Sequence, residues 1–309
     1  MKKILVIAGP TASGKTSLSI ELAKRLNGEI ISGDSIQQYI GLDIGSGKVT
    51  REEMQGIKHH LIDIKTPLEN SDVASFQMQA RACIDQITSL NKLPIVCGGT
   101  GLYIKALLYD YQFKNESPLD ADNQQKIDLL TNEQLYDWLM LLDPTSATKI
   151  HLNNRVRLQR AITIALTSKQ TKSEQESAQL HQPIYDAYSI CLSWPRATIR
   201  TRISQRVDSM VENGLVQEIQ NLLSNGVSFN DACMKGIGYK EFANYFNGNA
   251  SLEECIQQVK THSCQFAKRQ ETFFRHQFEN MQWLDMTTLN IDNEVERIKA
   301  WLNATEVHS

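Results

Sequence analysis

Residues 3–26 read KILVIAGPTASGKTSLSIELAKRL and contain three adjoining structural patterns. Lys3–Ala8 is a compact apolar run, partly β-branched, which predicts a buried strand. Ser17–Leu26 repeats leucine every four residues and predicts an amphipathic helix. The eight residues between them, 9–16, fit the pattern G-x-x-x-x-G-K-S/T. The stretch therefore predicts a strand, a P-loop and a helix in succession.

A P-loop binds phosphate through its backbone N–H groups and the dipole of the helix that follows. In this chain we expect Lys15 to neutralise a terminal phosphate and Thr16 to reach Mg²⁺. The predicted phosphate-binding residues of the loop are Gly9, Pro10, Thr11, Ala12, Ser13, Gly14, Lys15 and Thr16. The motif predicts a polyphosphate or diphosphate site, from which nucleotide hydrolysis does not follow.

Further apolar runs indicate a parallel sheet. They are Glu29–Ser32, His60–Ile64, Leu93–Cys97 and Tyr188–Trp194. A helical pattern from Asp72 to Leu90, with Ser71 or Asp72 as its N-cap, separates two of them. Strands that alternate with helices predict an α/β fold, here a P-loop NTPase-like sheet.

A polar, helix-prone segment interrupts this pattern. We predict a helical insertion domain at 113–185, which includes a loop with the sequence SKQTKSEQESAQ (168–179), and a catalytic core formed by 1–112 and 186–309. After Pro195 the sequence predicts helices almost to its end. The insertion is the candidate for a lid.

Composition indicates an ordered globular protein of 309 residues with a net charge of -3. The charge is uneven, since residues 110–150 hold 3 Lys/Arg against 8 Asp/Glu and residues 151–210 hold 9 against 4. A polyanion would thus meet a local basic patch.

Six scattered cysteines form no CxxC pair, so neither a zinc site nor a disulfide framework is predicted. The first apolar run is too short for a signal peptide or a membrane span. We expect a cytoplasmic protein with no membrane partner, and a monomer.

Two acids could serve a P-loop site, Asp34 after the second predicted strand and Asp63 near the end of the third. For Asp63, pairing with a neighbour is the better interpretation. Asp34 is followed by Ser35 and Gln37, and it would lie on the same sheet edge as the P-loop, as a magnesium partner or as a base acting on a second substrate. The GGTG turn at 98–101 would form another wall of that site, with Thr100 supplying a hydroxyl.

Three basic clusters lie outside the P-loop. They are Arg155, Arg157 and Arg160; Arg200, Arg202 and Arg206; and Lys268, Arg269, Arg275 and His276 among phenylalanines. Each alone is typical of a solvated helix face, whereas the three together favour a track for a phosphate backbone.

In order and over nearly the whole chain, eight segments resemble the bacterial tRNA dimethylallyltransferases, also called tRNA isopentenyltransferases. They are GPTASGKT (9–16), SGDSIQQY (32–39), GLDIG (41–45), HHLID (59–63), GGTGLY (98–103), RLQRA (157–161), GIGYKE (236–241) and AKRQ (267–270). One departure is Cys264, which stands where the family commonly has arginine.

The resemblance implies transfer of the dimethylallyl group from dimethylallyl diphosphate to N6 of adenine 37 in tRNA. It implies Asp34 as the general base, with Lys15, Thr16 and Thr100 as further catalytic residues and Mg²⁺ as cofactor. For the diphosphate it implies the P-loop and either Arg202 or Arg206. The tRNA-binding residues that it implies are Asp34, Ser35, Ile36, Gln37, Thr100, Arg157, Leu158, Gln159 and Arg160.

Other functions remain open for the same motifs. An adenylate isopentenyltransferase would act on free AMP, ADP or ATP, although the insertion and the basic C-terminal segment argue for tRNA. A P-loop small-molecule kinase would bind ATP, and a non-catalytic relative would bind RNA only. Transfer of labelled prenyl groups to tRNA or to AMP separates these classes.

Overall fold

The computed structural model describes residues 1–113, 118–168 and 170–304. The chain divides into two compact units, a core unit of Met1–Tyr109 with Pro183–Ser309 and an insertion unit of Asp110–Gln182. These boundaries lie three residues from the ones that the sequence predicts, 113 and 185. In the described part of the chain, no helix has the length and apolar character needed to cross a membrane.

The core unit is built on one six-stranded sheet. Its strands are β1 (Lys3–Ala8), β2 (Gly28–Ser32), β3 (His59–His60), β4 (Leu93–Gly98), β5 (Asp186–Ser193) and β6 (Gln282–Asp285). Their order is β3-β2-β4-β1-β5-β6, and all neighbours pair in parallel. The predicted α/β fold class is thereby confirmed.

Helices surround this sheet and form most of the C-terminal part, as predicted. In the core unit they are α1 (Lys15–Arg25), α2 (Val73–Ser89), α3 (Gly101–Leu108), α9 (Arg196–Glu212), α10 (Leu215–Ser224), α11 (Ala243–Phe246), α12 (Leu252–Gln277) and α13 (Ile291–Asn303). Short 3₁₀ helices occupy Ala232–Lys235 and Lys240–Phe242. Asp72 is the N-cap of α2, and its carboxylate accepts a hydrogen bond from Ser75 N at 2.7 Å.

The central strand β1 explains why this sheet is stable. Its residues 4–8 are all fully buried, and alternate side chains pack into two different cores, one on each face of the sheet. A strand that is buried on both faces has a continuous run of apolar residues, and residues 3–8 show this pattern. The carboxyl ends of β1, β2, β4 and β5 meet at one edge, where ligands of such sheets bind.

Two strand predictions differ from the structure. The predicted strand His60–Ile64 is reduced to β3, because Leu61 and Asp63 adopt left-handed backbone angles, φ 61° and 53°, that no strand continues through. Strand β6 falls in a segment predicted to be helical. Leu284 is the one buried residue of its four, so the sequence of this edge strand shows almost no apolar pattern.

The insertion unit is helical, as the sequence predicts. Its helices are α4 (Ala121–Leu129), α5 (Asn132–Leu142), α6 (Pro144–Lys149), α7 (Arg155–Thr167) and α8 (Lys172–Ser177). Helix α8 falls within the predicted loop 168–179, where Thr171 and Glu174 form a capping box. Residue 169 of that loop lies outside the described residues. The unit has its own apolar core, centred on Leu135, Leu139 and Leu158.

Candidate active site

The P-loop folds between β1 and α1, with Lys15 at the first position of the helix. Gly14, the N-cap residue, has φ 93°, a left-handed angle that favours glycine. Lys15 Nζ reaches back across the loop and donates to the carbonyl oxygens of Gly9 at 3.0 Å and Pro10 at 2.7 Å. Burial lowers the pKa of Lys15 to about 8, and the nearby Arg206 cation acts in the same direction. The ammonium group is thus held where an anion would stabilise its charge.

Two side chains from the segment that follows β5 hold the P-loop. Trp194 Nε1 donates to Ser13 O at 2.9 Å, and Arg202 Nε donates to Ala12 O at 2.8 Å. The guanidinium of Arg202 stacks on the Trp194 ring, 4.7 Å from its centroid. Both contacts fix the backbone of the loop from outside.

Arg206 lies one helical turn further along α9. Its guanidinium donates to Ser46 O at 3.3 Å and packs on Gly47, where a Cβ atom would stand 1.9 Å from Nη2. Gly47 has φ 59°, a left-handed angle that favours glycine, and a Cβ atom there would displace the Arg206 guanidinium. Burial lowers the pKa of Arg206, although the negative charge of Asp34 acts against the shift.

Two cavities meet at this sheet edge, and all their lining residues belong to the core unit. The first, here called the P-loop cavity, measures about 980 Å³ and is lined by loop residues 11–16, Gln37 and Arg202. The second measures about 470 Å³ and is lined by Ser35, Ile36 and Thr100, with Tyr39 and Ile203 among its apolar walls. The residues that line both cavities are Thr11, Asp34, Ser46, Arg206, Met210 and Phe266.

Asp34 follows β2 and stands in this shared wall. Its Oδ1 accepts hydrogen bonds from the backbone N–H groups of Ile36 at 2.8 Å and Gln37 at 3.4 Å, which fixes the carboxylate through a local turn. No hydrogen bond to Oδ2 occurs within residues 1–113, 118–168 and 170–304. One oxygen therefore positions the group while the other can accept a proton.

Two glycine turns bring the ends of β2 and β4 into contact. Gly33 N donates to Cys97 O at 2.8 Å, and a Cβ atom at Gly98 would stand 2.4 Å from Gly33 O. Only glycine at 98 permits this approach. The contact places the turns that carry Asp34 and Thr100 side by side, as the sequence predicts.

The predicted tRNA-binding residues fall into three places. Asp34, Ser35, Ile36 and Thr100 line the second cavity. Gln37 lines the P-loop cavity instead, because its amide is held by the Ser32 hydroxyl at 3.0 Å and by Gly47 O at 3.3 Å. The other four belong to helix α7 of the insertion unit.

On α7 the four side chains are not equivalent. Arg157 and Arg160 are exposed and Gln159 is half-buried, but Leu158 is fully buried in the core of the insertion unit. The side chain of Leu158 therefore cannot contact tRNA, and its role is packing. Arg155 also has a structural role, since its guanidinium binds the carbonyl oxygens of Ile127 at 3.0 Å and Leu130 at 2.7 Å.

Asp63 pairs with a neighbour, as the sequence analysis favours. Its carboxylate accepts from Lys48 Nζ at 2.5 Å, and the same ammonium contacts Asp43 at 2.5 Å and Tyr39 O at 2.7 Å. The Lys48 side chain is 5% exposed, so this network stabilises the segment that follows β2.

Several residues that hold the site are not indicated by the sequence patterns above. Glu218 accepts three backbone N–H groups, from Asp43 at 2.9 Å, Ile44 at 2.7 Å and Gly45 at 3.1 Å, and the hydroxyl of Tyr239 at 2.8 Å. Trp194 and Gln270 are the others. Trp194 had no motif around it, whereas Gln270 belongs to the AKRQ segment and could have been found there.

Positive charge surrounds the second cavity. Three basic side chains that line it, Lys235, Lys240 and Arg269, are exposed, and Arg206 lies in the wall shared with the P-loop cavity. The Arg269 guanidinium lies 5.8 Å from the Phe266 ring. Exposed cations around a partly apolar cavity suit an anionic polymer that inserts one base.

Comparison with known proteins agrees with this geometry. The family model described as "IPP transferase" matches residues 37–277. The tRNA dimethylallyltransferase of Staphylococcus haemolyticus is 44% identical over 306 residues, which cover 97% of this chain and 92% of that protein.

Two solved structures are similar over almost the whole chain. The tRNA Δ(2)-isopentenylpyrophosphate transferase of Staphylococcus epidermidis has a TM-score of 0.73 and 41% identity, and the match covers 98% of this chain and 99% of that one. A eukaryotic dimethylallyltransferase described as acting on tRNA has a TM-score of 0.82 and 30% identity, with 97% of this chain and 78% of that chain covered. The chain belongs to the IPP transferase family.

Proposed function

We propose that this protein transfers the dimethylallyl group of dimethylallyl diphosphate to N6 of adenine 37 in tRNA, with release of diphosphate. The observation that carries the proposal is the position of Asp34 in the wall shared by the two cavities. A proton acceptor there can take the proton of an amine that is presented from the second cavity and attacks an allylic carbon presented from the P-loop cavity. The relatives named as acting on tRNA support the choice of acceptor.

The diphosphate would occupy the P-loop cavity. Loop amides, the Lys15 ammonium and the Arg202 guanidinium would contact oxygens whose negative charge grows as the C1–O bond breaks. Donors fixed before the reaction stabilise such charge without reorganisation. Trp194 contributes by holding Ser13 and Arg202 in place.

The adenine would enter the second cavity. A base stacked in an anticodon loop has to leave the stack before its N6 amine becomes accessible. Lys235, Lys240 and Arg269 would contact the flanking phosphates, and the exposed arginines of α7 in the insertion unit, Arg157 and Arg160, would contact tRNA elsewhere.

In the reaction, N6 forms a bond to C1 of the dimethylallyl group while the C1–O bond breaks and its electron pair leaves with the diphosphate. N6 then carries one proton too many, and Asp34 accepts it. The carboxylate first orients the amine as a hydrogen-bond acceptor, so positioning and proton acceptance come from the same group. Thr100, in the turn beside Asp34, would hold the base.

Mg²⁺ is the proposed cofactor. Among the described residues no group of three or more His, Cys, Asp and Glu could hold a metal ion. A Mg²⁺ ion that keeps several waters and binds phosphate oxygens needs few protein ligands, and the exposed hydroxyl of Thr16 in the P-loop cavity fits that role. When bound, the ion would neutralise charge on the leaving diphosphate. We further propose that the protein works in the cytoplasm as a monomer.

Removal of Mg²⁺ with a chelator is expected to lower kcat/KM about 100-fold, because several kcal/mol of charge stabilisation are lost. Titration of Mg²⁺ back into the assay should restore the rate. Thr16→Val should require a higher Mg²⁺ concentration for half the restored rate. Equal rates with and without Mg²⁺ would contradict the assignment of the cofactor.

The affinity for dimethylallyl diphosphate should fall as the pH rises through the Lys15 pKa of about 8. Below that pH the ammonium form is already present and binds the anion. Above it, binding has to recharge the amine, so affinity decreases by up to about tenfold per pH unit. Calorimetric titrations at neutral and alkaline pH measure the slope, and a flat profile would show that Lys15 is not the group that binds.

Label transfer tests the function. The protein is incubated with Mg²⁺ and labelled dimethylallyl diphosphate, with unmodified tRNA in one reaction and AMP in another. We expect label in tRNA only. Label in AMP only would favour an adenylate isopentenyltransferase, and label in neither acceptor would contradict prenyl transfer and favour a P-loop kinase.

A further inference from the structure

Gln270 joins the two loops that form the site. Its Oε1 accepts from the backbone N–H of Thr11 in the P-loop at 2.9 Å, and its Nε2 donates to the carbonyl oxygen of Gly99 in the GGTG turn at 2.9 Å. The residue is 6% exposed. One amide thus uses a donor and an acceptor to hold two backbones that lie far apart in sequence.

The contact allows little movement. A Cβ atom at Gly99 would stand 2.3 Å from Nε2 of Gln270, and one at Gly101 would stand 2.2 Å from the ring of Phe273 on the same helix. Helix α12 therefore packs closely on the GGTG turn at two places. A Cβ atom at Gly99 would displace the Gln270 amide and one at Gly101 would displace the Phe273 ring, so a side chain at either position would disturb a contact between the helix and the turn.

The residues that Gln270 holds lie at the junction of the cavities. Thr11 lines both cavities, and Thr100, next to Gly99, lines the second. Phe266, one turn before Gln270 on α12, also lines both. Any shift of Gln270 would change the separation between the phosphate loop and the wall that receives the base.

We propose that Gln270 is a positioning residue that sets the distance between the bound diphosphate and the acceptor base. This inference rests on the proposed function. Because the Thr11 N–H donates to Gln270 and the Ser13 N–H donates to Pro10 O at 3.3 Å, we assign the phosphate contacts to other N–H groups of the loop and to the Lys15 ammonium. In reactions between two bound partners, a displacement of about 1 Å can lower the rate about 10²-fold.

Gln270→Glu separates positioning from packing. A protonated glutamic acid has the shape of glutamine and can still donate to Gly99 O while accepting from Thr11 N. The ionised carboxylate has no donor for Gly99 O and places negative charge against that oxygen. Burial raises the pKa of a carboxyl group, so the protonated form should persist into weakly acidic solution.

The ratio of kcat for Gln270→Glu to kcat for the wild type is expected to be about one tenth at about pH 8.5 and to approach one at about pH 6. The ratio removes the pH dependence of the reaction itself. KM for tRNA should change little, because the cations at the second cavity are untouched. Gln270→Leu, which has neither donor nor acceptor, should be slow at both pH values.

Gln265→Glu provides the matched control, since Gln265 is exposed on the same helix. Its kcat relative to that of the wild type should stay near one at both pH values. Melting temperatures of all variants at both pH values identify any that do not fold, and assays run below them. A Gln270→Glu ratio that stays near one, or a loss equal at both pH values, would overturn the role of Gln270. Wild-type protein that labels no tRNA would overturn the proposed function instead.

Discussion

Asp34→Asn is expected to lower kcat for prenyl transfer about 10³-fold, within the range that general acid–base groups contribute. Asparagine has nearly the shape of aspartate, and its Oδ1 can still accept from Ile36 N, so the turn after β2 should persist. What the variant lacks is the charge and the basic oxygen that takes the N6 proton. The rate of a single turnover with prebound tRNA measures this step without product release.

The affinity for dimethylallyl diphosphate should be nearly unchanged in Asp34→Asn, because the P-loop, Lys15 and Arg202 remain in place. Asp63→Asn is the control, since Asp63 pairs with Lys48 and lines neither cavity. Its kcat should stay close to that of the wild type. A normal single-turnover rate in Asp34→Asn would exclude Asp34 from the reaction.

Lys15→Met is expected to raise the Kd for dimethylallyl diphosphate about 100-fold. A hydrogen bond to a charged group contributes roughly 1.5–3 kcal/mol, and each 1.4 kcal/mol corresponds to about tenfold in affinity. Methionine keeps most of the volume of the lysine stem, so the loop should still fold around it. Binding measured by calorimetry reports the loss directly.

Lys24→Met is the matched control, because Lys24 is exposed on the same helix and lies outside the cavity lining. It should bind the diphosphate as the wild type does. Lys15→Met should also have no pH dependence of binding near pH 8, where the wild-type lysine titrates. Wild-type affinity in Lys15→Met would contradict its assignment as the cation that binds the diphosphate.

The sequence predicts the centre of the fold well, because the signals there are local. An apolar run, a glycine-rich loop and a leucine-spaced helix lie within residues 3–26, and each forms what its own chemistry favours. The position of Asp34 also follows from local sequence, since it ends a strand at the ligand-binding edge. The resemblance to a known family then identifies the reaction.

The contacts that hold the site could not be predicted in the same way. Gln270 lies 259 residues from Thr11 and 171 from Gly99, and Trp194 lies 181 residues from Ser13. No periodicity or spacing connects such positions. Leu158 could have been assigned correctly from local sequence. It lies between two arginines of a basic motif, but the helical period places its side chain in the core while the arginines face outward.

Mass spectrometry of nuclease-digested tRNA, after reaction with the wild type or with Asp34→Asn, shows whether adenine 37 is prenylated and whether this requires Asp34. The wild type should add one dimethylallyl group to adenine 37 in a reaction that requires no ATP. Asp34→Asn, saturated with the same diphosphate and tRNA, should leave that adenine unmodified over the same time. Modification at another nucleoside, or equal modification by both proteins, would contradict the account.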